Sequence, residues 1–260
     1  MKIKDVIEAL ERFAPLPLQE DYDNAGLQTG FTEAEVSGAL LCLDVTEEVL
    51  REATAEGLNM VIAHHPLLFR PLRHLTDSTQ TERCACYAVR HDIAIYAAHT
   101  NLDNARGGVN YEMARRIGLS DIQLLQERSD KLGGSGVVGQ LDKPMEAGDF
   151  LKHIKATFHV ECLQHNKIMA GRLIRKVALC GGAGDFMLPQ ALKTGADAFL
   201  TGEMHYHQYF GWDDCIQIGV LGHYQSEQFT QQLLQRLLKD SLPALRTKIT
   251  TTHTNPIHYL

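Results

Sequence analysis

The chain has 260 residues, of which 44% are hydrophobic and 22% are charged, as is typical of a globular protein with one large domain or two of average size. Its formal net charge of −7 argues against a nucleic-acid-binding protein, because such proteins carry a basic surface. The N-terminal segment is polar and no apolar run is long enough to span a membrane, so we expect a cytoplasmic protein.

Helices and strands alternate in the first half of the predicted structure. Apolar residues recur at helical spacing in four segments, which predict helices over 2–13, 47–56, 80–91 and 109–117. Short apolar runs predict strands over 37–44, 58–63 and 92–98. Residues 21–30 (DYDNAGLQTG) are rich in Asp, Asn and Gly and therefore predict a loop.

The second half follows the same pattern. Helical spacing predicts helices over 148–158, 186–194 and 225–239. Apolar runs predict strands over 175–180, 196–201 and 215–221, and the Thr-rich segment 246–257 is expected to be extended. The charged, Gly/Ser-rich segment 127–139 (ERSDKLGGSGVVG) indicates an internal boundary.

The element order of the first half recurs in the second half, which suggests an internal repeat. A shift of 138 residues aligns the first two strands of the two copies and places His64-His65 on Gly202-Glu203. A shift of 124 residues aligns the third strand and places His99 on His223 and Asp103 on Glu227. Two generic strand–helix–strand units that converged are the alternative. Strands separated by helices favour parallel pairing, so we predict an α/β fold.

Two domains follow from this repeat. We predict that residues 1–125 form the first α/β copy, with the C-terminal strand in 246–260 returning to it. Residues 126–245 form the second copy.

Nitrogen and oxygen donors follow the predicted strands. The strand over 58–63 ends in His64 and His65, and Pro66 then stops it. Further donors follow other strands: His99, Asp103, Glu203, His223 and Glu227. In parallel sheets, binding sites form beyond the carboxyl ends of the strands, so we expect these side chains to converge on a divalent metal.

Imidazole and carboxylate donors suit Zn, Mn, Fe, Co or Ni, and the pattern does not choose among them. The six cysteines form no CxxC pair, which argues against a thiolate site. Five of these seven donors are candidate ligands. Five ligands are more than one catalytic zinc ion with an open coordination position needs, and they suit a pair of ions instead. Of the remaining donors, Glu203 is a general base or a partner of a ligand, and His99 orients a ligand or acts as an acid.

Two further features are weaker candidates for binding. The loop at 181–184 (GGAG) precedes a helix and can hold a phosphate at the helix N-terminus. Arg70, Arg73 and His74 form a short basic cluster, for which a solvated surface is the simpler interpretation. The turn at 43–46 lacks the glycines of a dinucleotide-binding fold.

Several motifs together resemble the Nif-three-like family, also called the GTP cyclohydrolase I type 2 homologues. They are the segments DNAGLQTG at 23–30, HHP at 64–66, HTNLD at 99–103, TGE at 201–203, GHYQSE at 222–227 and TNPI at 254–257. The family usually has Thr where this chain has Ser226, and Trp is common at the position of Tyr22.

This resemblance implies two intertwined copies of an α/β motif with mixed, mostly parallel sheets, in a ring-shaped homohexamer. It also implies two divalent metal ions per subunit, held by His64, His65, Asp103, His223 and Glu227. The implied function is that of a dinuclear metal-dependent hydrolase acting on a small molecule, of the GTP cyclohydrolase type that opens the ring of a nucleotide. The alternative is a metal-binding or interaction scaffold without turnover.

Overall fold

All residues, 1–260, are described by the structure, a computed structural model with nine α-helices and eleven strands. The α-helices are α1 (Ile3–Phe13), α2 (Glu47–Ala55), α3 (Gln80–Arg90), α4 (Thr100–Asn104), α5 (Val109–Arg116), α6 (Ala147–Thr157), α7 (Leu188–Lys193), α8 (His223–Glu227) and α9 (Thr230–Ser241). The strands are β1 (Gly26–Thr29), β2 (Ala39–Cys42), β3 (Met60–Ala63), β4 (Ala94–Ala97), β5 (Leu119–Glu127), β6 (Gly134–Glu146), β7 (Gln164–His165), β8 (Leu173–Cys180), β9 (Ala198–Thr201), β10 (Gln217–Val220) and β11 (Thr247–Ile249). Short 3-10 helices lie at Leu16–Leu18, Asp185–Met187 and Tyr206–Tyr209.

The first sheet has the order β1-β4-β3-β2-β11 and is parallel except for β1. Its strands β2, β3 and β4 are buried throughout, which explains their uninterrupted apolar sequence. On one face, Leu40 and Val61 share a core with residues of α2 and α3. Helix α2 begins after Thr46, whose side chain caps the helix by accepting a hydrogen bond from Val49 N.

The second sheet has the order β5-β6-β8-β9-β10-β7. Strands β8, β9 and β10 are parallel, whereas β5, β6 and β7 pair antiparallel with their neighbours. Two buried clusters contain alternate residues of these strands: Val177 and Leu179 lie in one, and Ala178 and Cys180 lie in the other. The predicted α/β class with mixed sheets is therefore confirmed.

The segment 127–139, where composition favours a boundary, lies in a β-hairpin instead. Strands β5 and β6 pair antiparallel from Leu119↔Leu141 to Glu127↔Gly134, and only the residues between them form the turn. The sequence did not predict these two strands. The apolar residues of β5 do not alternate regularly with polar ones, and the start of β6 is rich in Gly and Ser, which are typical of loops. An added Cβ at Gly134 would lie 2.1 Å from Gln126 O, so the glycine is needed for close strand approach.

Two smaller differences concern local order. Residues 26–29 form the edge strand β1 although their composition predicts a loop, because β4 offers a partner for their backbone. The helix predicted over 225–239 is divided into α8 and α9.

The internal repeat is visible in strand register. In the first sheet Cys42 is paired with Ala63, and in the second sheet Cys180 is paired with Thr201, each 138 residues further along. The third strands correspond differently, because Ala97 and Val220, 123 residues apart, occupy the equivalent pairing positions. The shift of 124 holds only from His99 onward, so the second copy has one extra residue between its third strand and its histidine.

The chain divides into two compact units. One unit comprises Met1–Leu102 and Thr230–Pro256 and contains the first sheet. The other comprises Asp103–Phe229 and Ile257–Leu260 and contains the second sheet. None of the helices combines the length and the apolar character that crossing a membrane requires.

Candidate metal centre

Three imidazole rings lie together at the carboxyl ends of β3 and β4. The ring centroids of His64 and His65 are 4.9 Å apart, and the ring of His99 lies 5.4 Å from the first and 5.5 Å from the second. The parallel register Ala63↔Ala97 ends both strands at the same edge of the sheet, which brings the three histidines to one place.

The orientation of His64 and His65 is set by hydrogen bonds at Nδ1. The Nδ1 atom of His64 lies 2.7 Å from Ala98 O, and that of His65 lies 2.7 Å from Asp44 Oδ1. Since a carbonyl or carboxylate oxygen only accepts, both Nδ1 atoms carry the proton and both Nε2 atoms present their lone pairs. Thr254 Oγ1 donates to the second oxygen of Asp44, at 2.9 Å. Such outer hydrogen bonds are typical of metal-binding histidines.

The protonation state of Asp44 supports this assignment. Burial by itself would raise the pKa of Asp44, but the hydrogen bond and the electrostatic attraction of the His65 ring, together with Thr254, outweigh burial and lower it below the ordinary 3.8. The carboxylate is therefore ionised at neutral pH and accepts the proton of His65.

His99 is oriented in the same way by Asp23. Its Nδ1 lies 2.7 Å from Asp23 Oδ1, while Thr100 N and Thr100 Oγ1 both donate to the other carboxylate oxygen. Burial would raise the pKa of Asp23, but the hydrogen bonds from His99 and Thr100 prevail and lower it from 3.8 to about 2. The ionised carboxylate holds the His99 ring so that Nε2 faces away from it.

In the second unit, one histidine and two carboxylates lie close to one another. Helix α8 places His223 and Glu227 one turn apart, with Nε2 of the histidine 3.2 Å from Oε2 of the glutamate. The Nδ1 atom of His223 lies 2.9 Å from Glu203 Oε1. Glu227 is buried, whereas the Glu203 side chain is 55% exposed.

The glycine loop at 181–184 packs against Glu227, and the N–H groups of its first two residues are engaged by side chains. Gly181 N donates to Asn110 Oδ1 at 2.9 Å, and Gly182 N donates to Ser226 Oγ at 3.0 Å. Gly182 has φ +57°, and a Cβ there would lie 2.4 Å from Glu227 Oε1. The loop is glycine-rich because the backbone packs directly against this carboxylate.

His64 and His65 of the first unit and Glu227 of the second unit are among the residues that could bind a metal ion. Two imidazole nitrogens and a carboxylate oxygen fit a divalent transition metal, and the hydrogen bonds at both Nδ1 atoms leave the nitrogens suited to ligation. Asp103, half-buried in α4, and His223, beside Glu227, remain predicted ligands.

Composition alone did not identify the two aspartates that orient these histidines. Asp23 lies in the segment predicted to be a loop, and Asp44 lies in the turn at 43–46. Asp44 lies level with His65, two residues beyond each strand, because the folded sheet pairs Cys42 with Ala63.

A cavity of about 390 Å³ in the second unit is lined by Glu203 and His223, together with Met204, His205, Ile257 and Tyr259. His205 Nδ1 lies 2.7 Å from Asp185 Oδ2, and this hydrogen bond raises the pKa of the exposed imidazole. The cavity lining therefore combines polar side chains with apolar and aromatic ones.

Comparison with known proteins shows the family of this chain. The profile of the family described as Duf34/NIF3 (NGG1p interacting factor 3) matches residues 1–256. This chain belongs to the Duf34/NIF3 family. Among relatives, it is 34% identical over 246 residues to the GTP cyclohydrolase 1 type 2 homolog of Lactococcus lactis, covering 91% of each chain. It is also 34% identical over 230 residues to the Clostridium perfringens homolog of the same name, covering 87% of each.

Solved structures show the same Duf34/NIF3 fold. The Staphylococcus aureus protein SA1388 is 26% identical and superimposes with a TM-score of 0.92 over 100% of this chain and 99% of that one. The two mixed sheets described above are thus those of the family.

Proposed function

We propose that this Duf34/NIF3 protein is a divalent-metal-dependent hydrolase that binds two ions and opens the ring of a nucleotide, as a GTP cyclohydrolase does. The ions would be held by His64, His65, Asp103, His223 and Glu227. The observation that carries the proposal is the orientation of His64 and His65, whose Nδ1 protons are engaged by Ala98 O and Asp44.

The chain's own residues would bind, orient and move protons. Bound divalent cations supply Lewis acidity and lower the pKa of water. Glu203 accepts from His223 Nδ1 and so positions that imidazole rather than acting as a free base. His99, anchored on Asp23, would exchange a proton with the substrate at Nε2.

The nucleotide in this proposal rests on relatives. The Lactococcus lactis and Clostridium perfringens relatives are named GTP cyclohydrolase 1 type 2 homologs. A purine ring carbon is the electrophile that such chemistry requires.

The test combines metal analysis with turnover. Protein purified without added metal is assayed by elemental analysis and then incubated with GTP and related nucleotides, with product detected by mass spectrometry. We expect two equivalents of divalent metal per chain and turnover that Asp103→Asn and Glu227→Gln abolish, since each removes a ligand charge at nearly constant shape. Asp240→Asn, an exposed carboxylate on α9, is the matched control. Turnover by fully metal-free protein would contradict the proposal.

A non-catalytic metal-binding or interaction scaffold is the second candidate. The family description, NGG1p interacting factor 3, names an interaction and not a reaction. Stoichiometric metal without product from any nucleotide or phosphoester would favour this function.

The proposal includes a cytoplasmic homohexamer, by likeness to the family. Size-exclusion chromatography with light scattering tests the assembly, since a hexamer has six times the 29.0 kDa of one chain.

A further inference from the structure

A second cavity, of about 390 Å³, lies in the first unit. Several of its lining residues directly follow the His64-His65-Pro66 motif in the sequence. The segment that follows the motif and the start of α3 form its walls. Its basic lining residues are Arg70, Arg73 and His74. This is the cluster for which the sequence alone favoured a solvated surface.

The positive charges of this cavity are not balanced by carboxylates. Arg73 and His74 form no ion pair or hydrogen bond, and Arg70 contacts only the face of Phe69, at 5.1 Å from the ring centroid. Elsewhere in the same unit, Arg83 pairs with Glu47 at 2.6 Å. An uncompensated basic cluster is informative in a chain whose net charge is −7.

The one acidic lining residue is already engaged. Glu82 is buried and accepts hydrogen bonds from Thr76 N, at 3.2 Å, and from Thr76 Oγ1. It also lies in the first turn of α3, where the helix dipole favours a negative charge. The carboxylate therefore belongs to the helix start and forms no ion pair with the arginines.

The cavity is connected to the imidazole cluster by Phe69. This residue lines the cavity, and its ring lies 6.1 Å from that of His99 in an edge-to-face arrangement. Arg70 stacks on the same ring. An anion at the arginines and a reacting group at the histidines can thus belong to one small molecule.

We propose that Arg70 and Arg73, assisted by His74, bind the phosphate groups of a free nucleoside phosphate whose reacting part lies at the imidazole cluster. This inference rests on the proposed function, because it names the residues that bind the phosphate groups of the nucleotide proposed for that site. Guanidinium groups suit the task because their planar fork donates two parallel hydrogen bonds to phosphate oxygens. A polymer is disfavoured, since the basic surface is small and the chain is acidic overall.

The test measures binding rather than turnover. Inorganic triphosphate is titrated calorimetrically into the full-length protein and into Arg70→Gln, Arg73→Gln and the control Arg90→Gln. Arg90, at the far end of α3, is exposed and also forms no ion pair. The control variant therefore loses the same positive charge as the cavity variants, but at a position outside the cavity. We expect each cavity variant to weaken binding by at least about tenfold, since hydrogen bonds to charged groups contribute about 1.5–3 kcal/mol. Arg90→Gln should bind like the parent protein.

Metal analysis of the same samples separates this inference from the proposed function. Unchanged metal content with weakened triphosphate binding supports the phosphate site whatever the turnover assay shows. Arg73→Lys should recover part of the affinity, because it restores the charge but not the fork. Equal binding by Arg73→Gln and Arg90→Gln would overturn the inference, as would tighter binding of a DNA oligonucleotide than of triphosphate.

Discussion

The ends of β3 and β9 occupy equivalent positions in the two copies of the repeat but differ in chemistry. At the end of β3, His64 is fully buried and His65 is largely buried, and both rings are fixed through Nδ1. At the end of β9 the corresponding residues are Gly202 and Glu203, and the glutamate side chain is more than half exposed. The strands therefore repeat a scaffold, while the residues just beyond them differ in type, burial and contacts.

The third strands extend this comparison. His99 follows β4 after one residue, whereas His223 follows β10 after Leu221 and the additional Gly222. Gly222 has φ 101° and ψ 143°, a conformation that essentially only glycine adopts, and it directly precedes α8. One inserted residue thus places the second histidine on the first turn of a helix, where it meets Glu227.

The largest expected effect tests whether the β3 end is the main metal-binding region. His64→Ala removes a buried nitrogen donor and should lower metal affinity by more than about 100-fold, exceeding the usual effect of losing an outer partner. Metal content after dialysis, measured by elemental analysis, reports the loss. His91→Ala, an exposed histidine after α3, should leave the content unchanged. Full metal retention by His64→Ala would remove the β3 end from the site.

The second prediction compares the orienting carboxylates of the two copies. Asp44→Asn should weaken metal binding by about 10- to 100-fold, because the amide no longer holds the His65 tautomer. Glu203→Gln should have a smaller effect, under about 10-fold, since its hydrogen bond to His223 is more exposed to water. Competition with a chromogenic chelator gives both affinities. If Glu203→Gln lowered metal affinity more than Asp44→Asn, the orienting carboxylate of the second copy would contribute more to metal binding than that of the first copy.

The third prediction concerns the additional residue of the second copy. Gly222→Ala should destabilise the protein by about 1–3 kcal/mol, because the backbone is strained for any other residue. The new Cβ would also lie 2.2 Å from Gln225 Oε1. Gly57→Ala is the control: its φ is +66°, but a Cβ there meets nothing within 4 Å. Urea unfolding monitored by circular dichroism should rank Gly222→Ala as the less stable variant.

The smallest expected effect concerns the return of β11 to the first sheet. Burial would raise the pKa of Glu52, but hydrogen bonds from Thr250 and Thr251 and the contact with Lys248 lower it from 4.5 to about 2. Because the folded-state pKa is the lower one, ionised Glu52 stabilises the fold above about pH 4.5, and this contribution is lost as the pH falls towards 2.

Glu52→Gln provides the measurement for this pH dependence. The difference in unfolding free energy between parent and variant should be constant near neutral pH and should shrink between pH 4.5 and 2. A difference that stays constant down to pH 2 would show that Glu52 acts through packing alone.

The sequence by itself determined the parallel core of each sheet, most helices and the family. These follow from continuous apolar runs, helical periodicity and polar motifs at strand ends, all of which are local patterns. It also indicated the repeat, because the first two strands of both copies share one spacing.

Only the tertiary structure decided which polar residues act together. Asp44 and Asp23 became partners of His65 and His99 through strand register and a long-range loop contact. The hairpin β5–β6 and the edge strand β1 likewise depend on pairing partners distant in sequence. A hydrogen bond between distant residues leaves no periodic trace in the chain, since its geometry exists only once both partners are folded.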